Sequence, residues 1–156
     1  MTSGTELAAL SDDDLLNMLS HKVSGVTDDD SFDALPWPLR ILWLLQDLDA
    51  ELAIGGLLAY LTNSSRRYAA ETVEALREIG IPQAGAILGR SIALIESNRS
   101  FVRNATVEHE ILQPFAEMPN AQAISQIGDD LREALYGNTD FAGRLTSYLR
   151  AHLEEL

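Results

Sequence analysis

The stretch Glu51–Gly80, ELAIGGLLAYLTNSSRRYAAETVEALREIG, combines a double glycine, an Asn-Ser-Ser break and a sharply amphipathic run, and its reading decides the fold. Gly55 and Gly56 each cost about 1 kcal/mol relative to alanine inside a helix, so they mark a break, a kink or a close backbone contact. A short helix from Leu57 to Thr62 is expected after them. Beyond Asn63, Ser64 or Ser65 can cap a helix that runs to Ile79, with Ala69, Val73, Leu76 and Ile79 inward and Glu71, Glu74 and Glu78 outward. Gly80 suits the position just past a helix end, and Pro82 the first turn of the next helix. The result is an αα-hairpin whose second arm buries Ala84, Leu88, Ile92 and Ile95.

Upstream, apolar residues between Trp37 and Ala53 occur almost all round the helical wheel, which predicts a central, buried helix started by Pro36 and Pro38. Arg40, Asp47 and Glu51 fall on one narrow polar stripe of it, because spacings of seven and four return to the same face. Asp49 points the other way and is the one acid whose surroundings suggest burial. Further upstream, Ser11 caps a short helix with Asp14 at the capping-box position, and Leu15, Leu16 and Leu19 form its apolar face. The segment from Gly25 to Ser31 reads as loop.

Downstream, helices are expected over Thr106–Ala116, over Ala121–Tyr136 with Ile124, Ile127, Leu131 and Leu135 inward and a stop at Gly137, and over Asp140–Leu156. The last aligns Phe141, Leu145, Tyr148, Leu149, His152 and Leu153. No segment alternates with period two and no fixed repeat is visible. The expectation is all-α: a single-domain compact bundle of about seven to eight helices, with residues 1–34 as an acidic arm carrying a short helix and residues 35–156 as the helical domain.

Composition agrees with a globular chain. At 156 residues, 46% hydrophobic, it buries roughly two-thirds of its unfolded surface without needing staples. The absence of cysteine excludes disulfides and thiolate metal sites and fits a reducing compartment. The start lacks a basic n-region and a sustained apolar core, and the longest apolar runs fall well short of the roughly 20 residues that span a bilayer. A cytoplasmic location is expected. Asn63, Asn98 and Asn104 each begin a formal glycosylation sequon, which carries no meaning without export.

Charge is the outlier, with 24 acids against 11 bases and a net charge of −13. Nucleic acid and anionic membranes are disfavoured partners, and basic surfaces are favoured ones. Through Asp33 there are eight acids against Lys22 alone, a net −7; the remainder carries sixteen acids against ten arginines, a net −6.

Catalytic and metal chemistry find little support. His21, His109 and His152 are far apart in sequence; His109-Glu110 begins like a zincin motif, but Gln113 stands where the second histidine must fall. No Glu-x-x-His pair, nucleophile elbow, P-loop or dinucleotide fingerprint is present, and Gly85 and Gly89 match none of the required spacings. A calcium loop from Asp28 fails because Phe32 occupies its fifth position. His152 reads as a packing or capping residue. No catalytic residue, no metal site and no cofactor is expected, and the chain is not expected to be an enzyme.

Taken together, Leu35, Pro36, Arg40, Trp43, Glu51, Gly55, Gly56, Tyr60, Asn63, Ser64, Glu71, Ala75, Leu76, Ile79 and Gly80 resemble the core of the DNA-mimic-protein-like family, also catalogued as domain of unknown function 4375. Leu145, Tyr148, Arg150 and His152 are similar to its closing helix. The similarity spans about Leu35 to Leu156 and leaves the acidic arm outside. Ala53 and Ile54 stand where the family has asparagines, Leu57 replaces a phenylalanine, and Ala59 replaces a common glutamine. If relatives use that segment as a polar ligand site, this chain has lost it, and a helix junction is the better reading. The resemblance implies a small acidic helical protein, able to form a homodimer, that imitates the DNA phosphate backbone and occupies the DNA-binding surface of a regulator or nucleoid protein.

Mimicry has a density requirement, since B-DNA carries one charge per roughly 1.7 Å of axis. Spread evenly over about 7,800 Å², the net charge gives only one per roughly 600 Å². Gathered on a patch of about 800 Å², the arm's charge alone gives one per roughly 110 Å². Asp12, Asp13, Asp14, Asp28, Asp29, Asp30 and Asp33 are therefore the expected partner-binding acids, and Glu51, Gly55, Gly56, Asn63, Ser64 and Gly80 the structural motif. The plainer readings are helix-dipole complementation for Asp12–Asp14 and a solvated loop for the others. The glutamate stripe of the hairpin, diluted by Arg67 and Arg77, reads as a solubility face. The alternative function is a helical domain that binds another protein or a small ligand through an apolar groove, acidic only for solubility.

Overall fold

The computed structural model describes residues 4–96 and 121–156, except the side chains of Ser64, Ser65, Ile95, Glu96 and Ala121. The expected helix at Thr106–Ala116, the His109-Glu110-Gln113 comparison and the sequons at Asn98 and Asn104 lie outside the described residues, as does the Ile95 side chain. The fold is all-α, as expected, and among the described residues there is no strand. The α-helices are α1 (Gly4–Ala8), α2 (Asp12–Val23), α3 (Asp29–Asp33), α4 (Trp37–Ile54), α5 (Gly56–Thr62), α6 (Ala69–Glu78), α7 (Pro82–Glu96), α8 (Ala121–Arg132) and α9 (Phe141–Ala151). A 3-10 turn, Ser64–Tyr68, leads into α6; a π turn, Glu133–Gly137, extends α8; and a 3-10 turn, Leu153–Glu155, ends the chain.

Helix α4 is the axis of the bundle, packed against α2, α5, α6 and α9. Its apolar residues lie round most of the wheel, and Leu39, Ile41, Leu42, Leu44, Leu45, Leu48 and Leu52 are all buried. The polar stripe stays at the margin, with Arg40, Asp47 and Glu51 half-buried. Asp49 is exposed, not buried as its neighbours suggested, because its face of α4 meets Tyr136 at the rim and not the core.

The double glycine separates α4 from α5. Gly56 has φ +75°, a left-handed conformation that costs other residues about 1–2 kcal/mol. A Cβ on Gly55 would meet the Ala59 Cβ at 2.5 Å, so both glycines are sterically required. At the hairpin, Gly80 (φ +83°) closes a Schellman motif: Ile81 N–H donates to the Leu76 carbonyl at 2.8 Å, and Gly80 N–H to the Arg77 carbonyl at 3.0 Å. Helices α6 and α7 pair closely behind it, burying Ala69, Val73, Leu76 and Ile79 against Ala84, Leu88 and Ile92. Helix α8 closes the bundle over α5 and α7.

Two one-turn helices, α1 and α3, add to the expected set. The second occupies part of the Gly25–Ser31 loop expectation, because Asp28 and Ser31 form a reciprocal capping box that nucleates a turn. Residues 4–34 are packed onto the bundle: Leu7, Leu15, Leu19, Val23 and Phe32 belong to the same buried core as α4. Phe32 is fully buried between Trp43 and Tyr68, with ring centroids 5.3 and 4.5 Å away. No helix of the described residues is long and apolar enough to cross a membrane.

Candidate partner-binding surface

The acids singled out in the sequence separate into two groups at opposite ends of α2, a helix of 12 residues and so about 18 Å long. The first group sits at its N-terminus. Ser11 caps the helix, its Oγ accepting from Asp14 N–H at 3.2 Å, while the Ser11 hydroxyl donates to Asp14 Oδ2 at 2.6 Å. Asp14 thus takes the cap's hydroxyl and not its backbone N–H. Asp13 is exposed, and Asp12 pairs with Arg150, whose Nη2 lies 2.6 Å from Asp12 Oδ1 and also donates to the Leu10 carbonyl at 2.8 Å.

That Arg150 fork fastens the chain's last turns to α1 and α2. Helix α1 packs against the Leu153–Glu155 turn, and a Cβ on Gly4 would lie 3.7 Å from Glu154 Oε1. Glu6, Glu154 and Glu155 are exposed on this seam of α1 and the last turn, and Lys22, from the far end of α2, donates to the Leu156 carbonyl at 3.2 Å, so the seam runs along α2 and carries a second basic residue. Sequence reasoning missed the two C-terminal glutamates because more than a hundred residues separate them from the arm; the basic Arg150 opposite Asp12 was the available signal.

The second group surrounds α3. Asp28 is its N-cap, and hydrogen bonds from the Ser31 backbone N–H, then its hydroxyl, hold the Asp28 carboxyl below its ordinary value. Asp29 accepts from the Tyr68 hydroxyl and pairs with Arg67 at 3.1 Å; Asp33 pairs with Arg40 at 3.1 Å. Asp30 is exposed. Three of the seven acids, Asp12, Asp29 and Asp33, thus face an arginine. These are surface pairs, worth about 0–1 kcal/mol each, but each cancels a charge that a partner would otherwise meet.

The structural motif has a defined geometry. Asn63 Nδ2 donates to Glu51 Oε2 at 2.6 Å, joining the end of α5 to α4 across the double glycine. Ser64 begins the 3-10 turn, and Arg144 donates to the Gly80 carbonyl at 2.9 Å. Of the substituted positions, Leu57 and Ala59 face the core, whereas Ala53 is exposed and Ile54 is 85% exposed. A Cβ on Gly128 would meet the Leu57 Cβ at 3.1 Å, so α5 presses its apolar side directly onto α8.

The family model for DMP19-like proteins matches residues 33–152. The chain belongs to the DMP19-like family. No curated protein and no solved structure gives a significant match. The matched region includes α4, the double glycine, the hairpin and α9, so the motif from Glu51 to Gly80 lies in what this DMP19-like chain shares with its family. Asp12–Asp14, Asp28–Asp30, Glu154 and Glu155 lie outside it.

The remaining polar contacts of the DMP19-like fold are structural. Each tyrosine donates to a fixed acceptor: Tyr60 to Thr72 at 2.9 Å, Tyr68 to Asp29, Tyr136 to Asp49, and Tyr148 to Glu78 at 3.0 Å. Burial first, and then the neighbouring carboxylate where there is one, pushes all four phenols up, Tyr68 to about 12. Glu78 also accepts from Trp37 Nε1 at 2.9 Å, so this member of the glutamate stripe ties α4, α6 and α9 together. His152 Nδ1 lies 2.8 Å from the Tyr148 carbonyl, and its ring packs on Tyr148 at the end of α9. Among the described residues, no group of three or more His, Asp or Glu is placed to hold a metal ion.

Proposed function

We propose that this DMP19-like chain is an acidic interaction protein that occupies the DNA-binding surface of a basic protein, a regulator or nucleoid protein, by presenting carboxylates in place of phosphates. The observation that carries this reading is the seam of α1, α2 and the chain's last turns, which sets Glu6, Asp12, Asp13, Asp14, Glu154 and Glu155 on neighbouring elements with Arg150 and Lys22 as counter-charges. Averaged over 8503 Å², the net charge is one per roughly 650 Å². On a patch of about 800 Å², six carboxylates less Arg150 and Lys22 give one per roughly 200 Å², about three times denser.

The second group, Asp28–Asp33, is diluted by Arg40 and Arg67 and serves as an outlying contact. The surface imitates a few phosphates and not a continuous run, since about 18 Å of duplex carries roughly ten charges. It acts by binding and not by catalysis, in the cytoplasm where such partners reside, either as a monomer or as a homodimer. Attraction of this kind steers association and weakens as salt rises.

The test is capture of basic DNA-binding proteins from the native lysate at low and high salt, followed by competition with duplex DNA. Capture that salt weakens and DNA displaces is the expected result; binding indifferent to both sinks the reading. Replacing Asp13, Asp14, Glu154 and Glu155 by their amides should abolish capture with folding intact.

A second reading is favoured by a groove of about 380 Å³ between α7 and α8, lined by Arg90, Ala93, Leu94, Ile127 and Asp130. An apolar segment of another protein, or a small apolar ligand, would bind there, with the acidity serving solubility. Salt-insensitive capture lost on Leu94→Asp would support it.

A further inference from the structure

The groove between α7 and α8 is bounded by two charges of opposite sign that do not pair with each other. Arg90 and Asp130 are both exposed, and among the described residues neither makes a hydrogen bond or an ion pair. Between them lie Ala93, Leu94 and Ile127, and Leu94 is 37% exposed, unusual for a large apolar side chain of this protein. Helix α7 carries no acid before Glu96, its last residue, whereas α2 and α6 each carry three. Ala86, Arg90 and Ala93, spaced by four and three, share one exposed stripe of α7. The two short alanine side chains let another helix approach to about 8 Å, the near end of the range for packed helices.

The two signs select the occupant. A uniformly basic partner would oppose Arg90, a uniformly acidic one would oppose Asp130, and an apolar ligand would cover both charges without pairing either. The occupant that matches the whole groove offers an acid to Arg90, a base to Asp130 and an apolar side chain between them. A second copy turned by a two-fold axis offers all three, because in such a contact residue i meets j while j meets i. Two chains of net charge −13 repel each other overall, which restricts self-association to a face where the local charge is balanced, as it is here. We infer that the α7–α8 groove is the face on which two copies of this chain pair, with Arg90 of each against Asp130 of the other and the Leu94 side chains buried between them. This gives the homodimer its interface and is independent of the acidic seam of α1, α2 and the last turns, none of whose residues line the groove.

Sedimentation velocity of the full-length chain across the micromolar range should show a monomer–dimer equilibrium, since one groove and one helix face make a contact at the small end of protein interfaces. Arg90→Asp and Asp130→Arg each set like charges against each other twice, and each alone should weaken dimerisation at least roughly tenfold. Mixed in equal amounts, the two variants should recover a heterodimer of near-parent affinity, because one then presents acids at both positions and the other bases at both. That recovery also shows that the variants are folded. Leu94→Asp should abolish pairing with the circular dichroism of the helices unchanged, and the amide replacements of Asp13, Asp14, Glu154 and Glu155 should leave pairing intact, so that failure of the partner-binding reading and failure of this one are told apart. A chain that stays monomeric throughout, which would leave the groove to a foreign segment or ligand, overturns the inference. So does a dimer indifferent to both charge reversals, or a pair of weakened variants that does not recover on mixing.

Discussion

Asn63 reaches back across the double glycine to Glu51, its Nδ2 2.6 Å from Oε2, so that the two polar residues flanking the break hold each other and fix the angle between α4 and α5. A hydrogen bond to a charged group at an exposed position contributes on the order of 1 kcal/mol. Asn63→Ala and Glu51→Ala should each destabilise by about that amount and show a coupling of at least about 0.5 kcal/mol in a double-mutant cycle by urea unfolding. Strictly additive effects would mean that the contact contributes nothing.

Three glycines should respond with opposite signs. Gly56→Ala and Gly80→Ala place a side chain at positive φ, and at Gly80 the new Cβ would also meet Arg144 Nη1 at 2.8 Å; each should cost roughly 1–2 kcal/mol. Gly89 lies inside α7 with open space where a Cβ would go, so Gly89→Ala should stabilise by about 0.5–1 kcal/mol. Thermal unfolding of the three variants decides the matter.

Phe32 tests how far the acidic N-terminal segment belongs to the folded unit. Because its ring is fully buried against Trp43 and Tyr68, Phe32→Ala should cost about 3–5 kcal/mol. Deleting residues 1–34 removes Leu7, Leu15, Leu19 and Val23 from the same core and should abolish cooperative unfolding. A truncated chain that keeps the parent's midpoint would make residues 35–156 an autonomous domain.

Alkaline pH should expose the tyrosine network. All four phenols have folded values raised above the ordinary 10.0, Tyr68 to about 12, so the folded chain keeps protons that the unfolded chain loses. Their contribution to stability is therefore complete below pH 10 and is lost as pH rises from about 10 to 12 and beyond. Tyrosinate absorbance should stay low at pH 10 in the native protein and rise together with loss of helix; half-ionised tyrosines in a fully helical chain at pH 10 would contradict the network.

The helices and most of the core were legible because they depend on local order. The all-round apolarity of Trp37–Ala53, the period of Ala69–Ile79 and the glycine stops at Gly55–Gly56 and Gly80 each express a constraint within one or two turns of backbone. Asp49 was misread for the complementary reason: an apolar sequence neighbourhood does not say which face of a helix meets the rim. The turn at Asp29–Asp33 escaped notice because its capping box uses Asp and Ser, residues equally at home in loops.

The sequence by itself determined an all-α chain, the central helix, the glycine junction with its hairpin, the family, and the excess of acid. Only the tertiary structure decided where the charge goes. Folding divides the seven arm acids between the two ends of α2, sets Arg150, Arg67 and Arg40 against three of them, and packs the turn bearing Glu154 and Glu155 against α1, with Lys22 at the Leu156 carbonyl beside it. The physical reason is that helix period and glycine geometry act over neighbouring residues, whereas a surface charge density depends on which distant side chains arrive at the same place.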